Sequence, residues 1–147
     1  MIGKWCCKTS PDWGPLFLRL VVGVTFIMHG SQKVFGAFGG GGLSGTEAFL
    51  TQIGVPAPGI MAYLLAFTEF LGGMGVLLGL FTQLFALLLS VVMTVAILTV
   101  HLKNGFFAGQ GGFEYPFVLL GACLALVVSG CTKFGLDCIV HKKCCGE

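Results

Sequence analysis

Four long apolar runs, separated by short polar and glycine-rich stretches, dominate the chain. They cover residues 15–38, 58–80, 82–102 and 115–131, and each approaches the ~20 residues an α-helix needs to cross a bilayer core of about 30 Å. The first is interrupted by Arg19, His29 and Lys33, and the second holds a single acid, Glu69. The third is the cleanest. The fourth is short, so it must stand upright or thin the bilayer locally. Pro15, Pro58 and Pro116 each stand where a first helical turn would begin, a position that tolerates a missing N–H. The runs are continuous and lack the alternation of a barrel strand. The fold class is therefore all-α: an integral membrane four-helix transmembrane bundle, forming one membrane domain with tails at 1–14 and 132–147.

The connections refine this picture. Between the first two spans, a glycine run too flexible for a helix precedes Thr46 to Ile53, which reads as a short amphipathic interfacial helix with Thr46 as its N-cap. Spans two and three meet at Phe81–Thr82, which forces a tight antiparallel hairpin. Lys4, Lys8, Lys133, Lys142 and Lys143 lie on the tails, against only Lys33 and Lys103 on the opposite side. The positive-inside rule then places both termini in the cytoplasm. The N-terminal segment does not read as a cleaved signal, because it lacks a small-x-small site and Arg19 interrupts its apolar region.

Composition excludes several classes. Hydrophobic residues make up 56% of the chain and charged ones 10%, with a mean hydropathy of +0.96. A typical soluble domain is roughly 25% charged, so a water-soluble enzyme or secreted scaffold is ruled out. A net charge of +2 without a basic cluster gives no nucleic-acid-binding face. The expected partners are the lipid bilayer and other membrane subunits.

Each ionisable group inside a bilayer costs on the order of 2.5–3.5 kcal/mol on insertion scales, so each needs a reason. Glu69 falls near the midplane of the second span. His29 lies in the outer half of the first, with Lys33 one turn further on the same face; His101 and Glu114 stand at the outer ends of spans three and four. Arg19, in the inner half, either snorkels to the surface or reaches toward Glu69. Two readings compete: structural pairing of Glu69 with a cation, or a ligand or proton site built from Arg19, His29, Lys33, Glu69, His101 and Glu114. Gly72, Gly73, Gly75 and Gly79 suit close helix packing, with Gly75 and Gly79 as a formal GxxxG. The phenylalanines of the outer loops form an interfacial belt or wall an entry for a flat apolar ligand such as a quinone. Of seven cysteines, Cys123 sits in the fourth span. Cys6, Cys7, Cys138, Cys144 and Cys145, with His141, flank the bundle at spacings compatible with a soft metal. No nucleophile–base pair, Rossmann glycine pattern or phosphate loop is present, which argues against independent catalysis.

The order Arg19, His29-Gly30-x-x-Lys33, Gly54-Val-Pro56, Glu69-Phe-x-Gly72-Gly73, Leu78-Gly79-Leu80, Gly105-Phe106-Phe107 and Gly111-Gly112-x-Glu114-Tyr115 resembles the DoxX family of small four-helix membrane proteins. The resemblance runs from about Phe17 to Asp137; the cysteine-rich tails depart from it. It implies an accessory or anchor subunit of a membrane oxidoreductase or electron-transfer complex, in contact with quinone. Arg19, His29, Lys33, Glu69 and Glu114 carry the family motif, and His101 lies outside it. The rival functions are a purely structural subunit of a large respiratory or photosynthetic assembly, and a small transporter or proton conduit using Glu69. The expected location is a bacterial cytoplasmic (inner) membrane.

The charge asymmetry makes a topological prediction. Thiol labelling from outside intact cells should miss Cys6 and Cys145 and should label a cysteine introduced by Ser44→Cys. The reverse pattern would invert the orientation.

Overall fold

The computed structural model describes residues 13–130 and 135–137, and among these every regular element is helical. Helix α1 runs Gly14–Phe35, α2 Gly42–Gln52, α3 Pro58–Leu78, α4 Thr82–Ala96 and α5 Glu114–Ser129. Helix α4 continues through a π-turn at Ile97–His101 and a 3₁₀ turn at Leu102–Asn104. Three helices (α1, α3 and the extended α4) are long and apolar enough to cross a bilayer. Helix α5, at 16 residues, spans only about 24 Å and is the short fourth member of the bundle. The chain is an integral membrane protein.

Several boundaries differ from the apolar runs, each for a local reason. Helix α1 stops at Phe35, not at residue 38, because Gly36 turns left-handed (φ 67°) and Phe38 also has positive φ. Helix α2 begins at Gly42, a turn before Thr46. Thr46 is therefore not an N-cap but an interior residue whose hydroxyl donates to the Gly42 carbonyl at 2.8 Å. Helix α3 ends at Leu78 with Gly79 left-handed, and the Leu80 and Gly79 amides donate to the Gly75 and Val76 carbonyls, which closes a Schellman motif.

The α3–α4 hairpin is held by two charged side chains from elsewhere. Arg19 of α1 is buried and donates from Nε to the Val76 carbonyl (3.0 Å) and from Nη2 to the Leu77 carbonyl (2.9 Å). These carbonyls belong to the last turn of α3, where Val76 already accepts from Gly79 and the helix dipole favours a cation. Arg19 thus serves the last turn of α3 and does not reach toward Glu69. Asp137 does the converse for α4: its carboxylate accepts from the Phe81 amide at 2.8 Å and the Thr82 amide at 3.1 Å, while its own amide donates to Gly79. An anion at a helix N-terminus is the favourable sign. One end of the bundle is thereby sealed.

Glycines set the helix separations. A Cβ at Gly30 would overlap the Phe70 backbone, one at Gly23 would strike Leu77, and one at Gly73 would meet the α1 backbone around Ile27. Helices α1 and α3 therefore touch backbone to backbone. Gly72 and Gly75 instead receive Leu89 and the Phe85 ring of α4, and Gly79 is a cap, so Gly75 and Gly79 share no packing face. The core between the helices consists of Val22, Phe26, Val76, Ala86, Leu89, Met93, Leu119, Cys123 and Leu126. Apolar side chains such as Ile60, Leu98 and Val128 project outward, as a lipid-facing surface requires.

Adding one carbon at Gly30 forces α1 and α3 apart, and overpacking of this kind costs typically 1–3 kcal/mol. Gly30→Ala should lower the unfolding midpoint in detergent. Gly121→Ala, where nothing lies within 4 Å, should leave it unchanged or raise it slightly. Equal effects at both sites would refute the close-contact account.

Candidate functional site

At the end opposite the hairpin the helices diverge and enclose a cavity of about 560 Å³. Helix α1 contributes Phe26, His29 and Lys33, one above another because they stand three or four residues apart on a single face. Helix α3 contributes Thr68 and Glu69, and the cavity is covered by Phe49 and Leu50 of α2 and by Ile53 just after it. The π-turn of α4 delivers His101, and the first turn of α5 delivers Tyr115. The remaining walls are almost entirely aliphatic.

The polar groups form two pairs and a tethered histidine. Lys33 Nζ donates to Glu69 Oε2 at 2.5 Å. Glu69 is only 4% exposed, whereas Lys33 keeps partial contact with the outside. The pair brings no net charge into the cavity, which offsets much of the cost of burying either ion. The Tyr115 hydroxyl lies 3.4 Å from His29 Nε2, with the two rings tilted at 51°. His101 Nδ1 is 2.8 Å from the Gly111 carbonyl. A carbonyl only accepts, so Nδ1 is the donor in this contact.

Of the six membrane candidates, the structure brings His29, Lys33, Glu69 and His101 together around this cavity and leaves two outside it. Arg19 is at the hairpin end. Glu114 turns away: its Oε2 accepts from the Ala108 amide at 2.9 Å, and its amide donates to Phe106, which stitches the loop between α4 and α5. Phe106 meets Phe107 and Phe113 in T-shaped contacts in that same loop, so these rings build the outer surface and not the cavity wall. Tyr115 lines the cavity; in the sequence it belongs to the Gly111-Gly112-x-Glu114-Tyr115 motif but not to the site candidates. The belt rule for interfacial aromatics assigns such a tyrosine to the headgroups, and the charged neighbour Glu114 draws the attention instead. Cys6, Cys7, Cys138, His141, Cys144 and Cys145, the candidate metal ligands, lie outside the described residues. Among the described residues, no three His, Cys, Asp or Glu side chains are grouped closely enough to hold a metal.

Known proteins resemble the chain over most of its length. The sequence profile of the DoxX family matches residues 14–102, which include His29, Lys33, Glu69 and His101. A protein of Bacillus subtilis (strain 168) named "Putative oxidoreductase CatD" is 35% identical over 133 residues, covering 90% of this chain and 91% of its own length. The inner membrane protein YqjF of Escherichia coli (strain K12) is 29% identical over 140 residues, covering 92% and 98% respectively. No solved structure matches.

The ion pair makes a stability prediction that separates a lost partner from a lost charge. Glu69→Leu leaves the Lys33 ammonium without its acceptor and should destabilise the folded protein by about 1–3 kcal/mol. Combining it with Lys33→Met removes both ions and should restore most of that loss. Unfolding in detergent reads both. A double variant no more stable than the single one would contradict the pairing.

Proposed function

Because the chain belongs to the DoxX family, we propose that it is an accessory or anchor subunit of a membrane oxidoreductase and holds a neutral, lipid-soluble ligand of the quinone class. The observation that carries the proposal is the Lys33–Glu69 pair set in a cavity whose walls are mostly apolar. A pocket of about 560 Å³ falls within the range of small-molecule sites, which are mostly apolar with a few placed polar groups. Its charges cancel, so it favours a neutral guest over an anion. A quinone offers two carbonyl acceptors on a flat apolar ring. The Lys33 ammonium has three donors, one of them used on Glu69, and the Tyr115 hydroxyl supplies another when His29 Nε2 carries its own proton and donates to it. The name carried by the Bacillus relative supports a redox setting. YqjF, described as an inner membrane protein, supports a bacterial inner membrane as the location, and the lysine excess on the tails supports a cytoplasmic side for both of them. A second membrane subunit is the proposed source of electrons.

The test begins with protein purified in mild detergent, whose organic extract should contain an isoprenoid quinone near stoichiometry. A short-tailed quinone analogue should bind the wild type, and Tyr115→Phe or Glu69→Gln should weaken it roughly tenfold, which is about 1.4 kcal/mol. A purely structural subunit predicts neither. Protein free of quinone and unable to bind the analogue would overturn the proposal.

A further inference from the structure

The cavity has a polar end and an apolar mouth, and the two face different surroundings. Leu64 on α3 and Val91 and Val95 on α4 all line the cavity. They are also 56%, 55% and 51% exposed. They stand on two neighbouring helices with one side to the cavity and the other to the outside, so the cavity opens sideways between α3 and α4.

Packing explains why the opening is there. Near the hairpin, Gly72 and Gly75 admit Leu89 and Phe85, and the two helices lie close. Beyond Gly72 the α3 face turned to the cavity carries Thr68, Leu65, Leu64 and Met61, with no glycine among them. Helix α3 packs chiefly on α1 and helix α4 chiefly on α5. The α3–α4 pair is thus pinned at one end and separated at the other. The loop end, meanwhile, is covered by Phe49 and Leu50 of α2 and by Ile53 just after it, and the gap between the spans offers an apolar entrance. Its rim residues belong to two helices long and apolar enough to cross a bilayer.

We infer that the ligand enters from the bilayer through the gap between α3 and α4, headgroup first, and that its hydrocarbon tail remains threaded between Leu64, Val91 and Val95 when the headgroup reaches Lys33 and Tyr115. This rests on the quinone-class reading and adds that the site draws on the membrane pool and selects ligands with a tail. In the bound state the tail occupies the mouth, so blocking the mouth weakens long-tailed ligands and spares tail-less ones.

The experiment compares a tail-less quinone headgroup with the same headgroup bearing a long isoprenoid tail, both titrated against the full chain in lipid nanodiscs. Val95→Trp and Leu64→Trp fill the mouth at lipid-exposed positions, and Val128→Trp, on the 74% exposed side of α5, is the control. The mouth variants should lose at least tenfold in affinity for the long-tailed ligand while the tail-less one stays within twofold. Leu64→Ala with Val95→Ala should speed association of the long-tailed ligand. If both ligands bind the mouth variants as they bind wild type, or both weaken alike, the lateral route is overturned while the ligand reading stands. If wild type binds neither ligand, both fall together.

Discussion

The loop half of this bundle depends on one electrostatic fact: a carboxylate near the middle of a bilayer must meet a cation. Glu69 is buried and meets Lys33. That meeting is possible only because α1 and α3 approach backbone to backbone at Gly23, Gly30 and Gly73, which brings an ammonium on one helix within reach of an acid on the next. The pair then decides what the cavity can hold. It supplies donors and an acceptor without leaving net charge behind, and the surrounding aliphatic walls do the rest. Glycine packing, ion pairing and ligand chemistry are therefore bound to one another.

The hairpin half solves the same problem for backbone groups. The C-terminus of α3 and the N-terminus of α4 end with carbonyls and amides that their own helices do not fully satisfy. A guanidinium from α1 and a carboxylate from the far end of the chain meet them with the signs that the helix dipoles favour. With this end fixed, α3 and α4 can separate at the other end without unravelling the bundle. The rigid seal and the open cavity belong to the same pair of helices.

The spans, the hairpin at Phe81–Thr82 and the pairing of Glu69 are legible in the sequence, because length, hydropathy and the cost of a buried charge leave few alternatives. Other features have no local signal. Arg19 bonds to backbone carbonyls, and no residue type announces an acceptor that every residue carries. Asp137 caps a helix that begins 55 positions earlier, a relation only the fold creates. Thr46 resembles a cap because hydroxyls cap helices, yet the helix already begins at Gly42, and the hydroxyl bonds back within it. The π-turn at Ile97–His101 adds a residue to one turn and rotates the downstream positions by about 100°, so a regular helical count does not give the direction of His101. The depth of Glu114 is readable from its run, but depth says nothing about azimuth, and its carboxylate closes a loop.

Neutrality of the cavity is the claim on which the functional account stands, and it is open to one direct measurement. Two ligands of the same shape, a neutral naphthoquinone headgroup and its anionic hydroxy derivative, can be titrated against wild type and Glu69→Gln at a pH where the derivative is ionised. With Glu69 present, the Lys33 charge is cancelled and the neutral ligand should bind more tightly. With glutamine in its place the ammonium is uncompensated, and the ratio of affinities should move at least tenfold toward the anion. A ratio unchanged by Glu69→Gln would contradict the account, because it would mean that the Lys33–Glu69 pair does not set the charge the ligand meets.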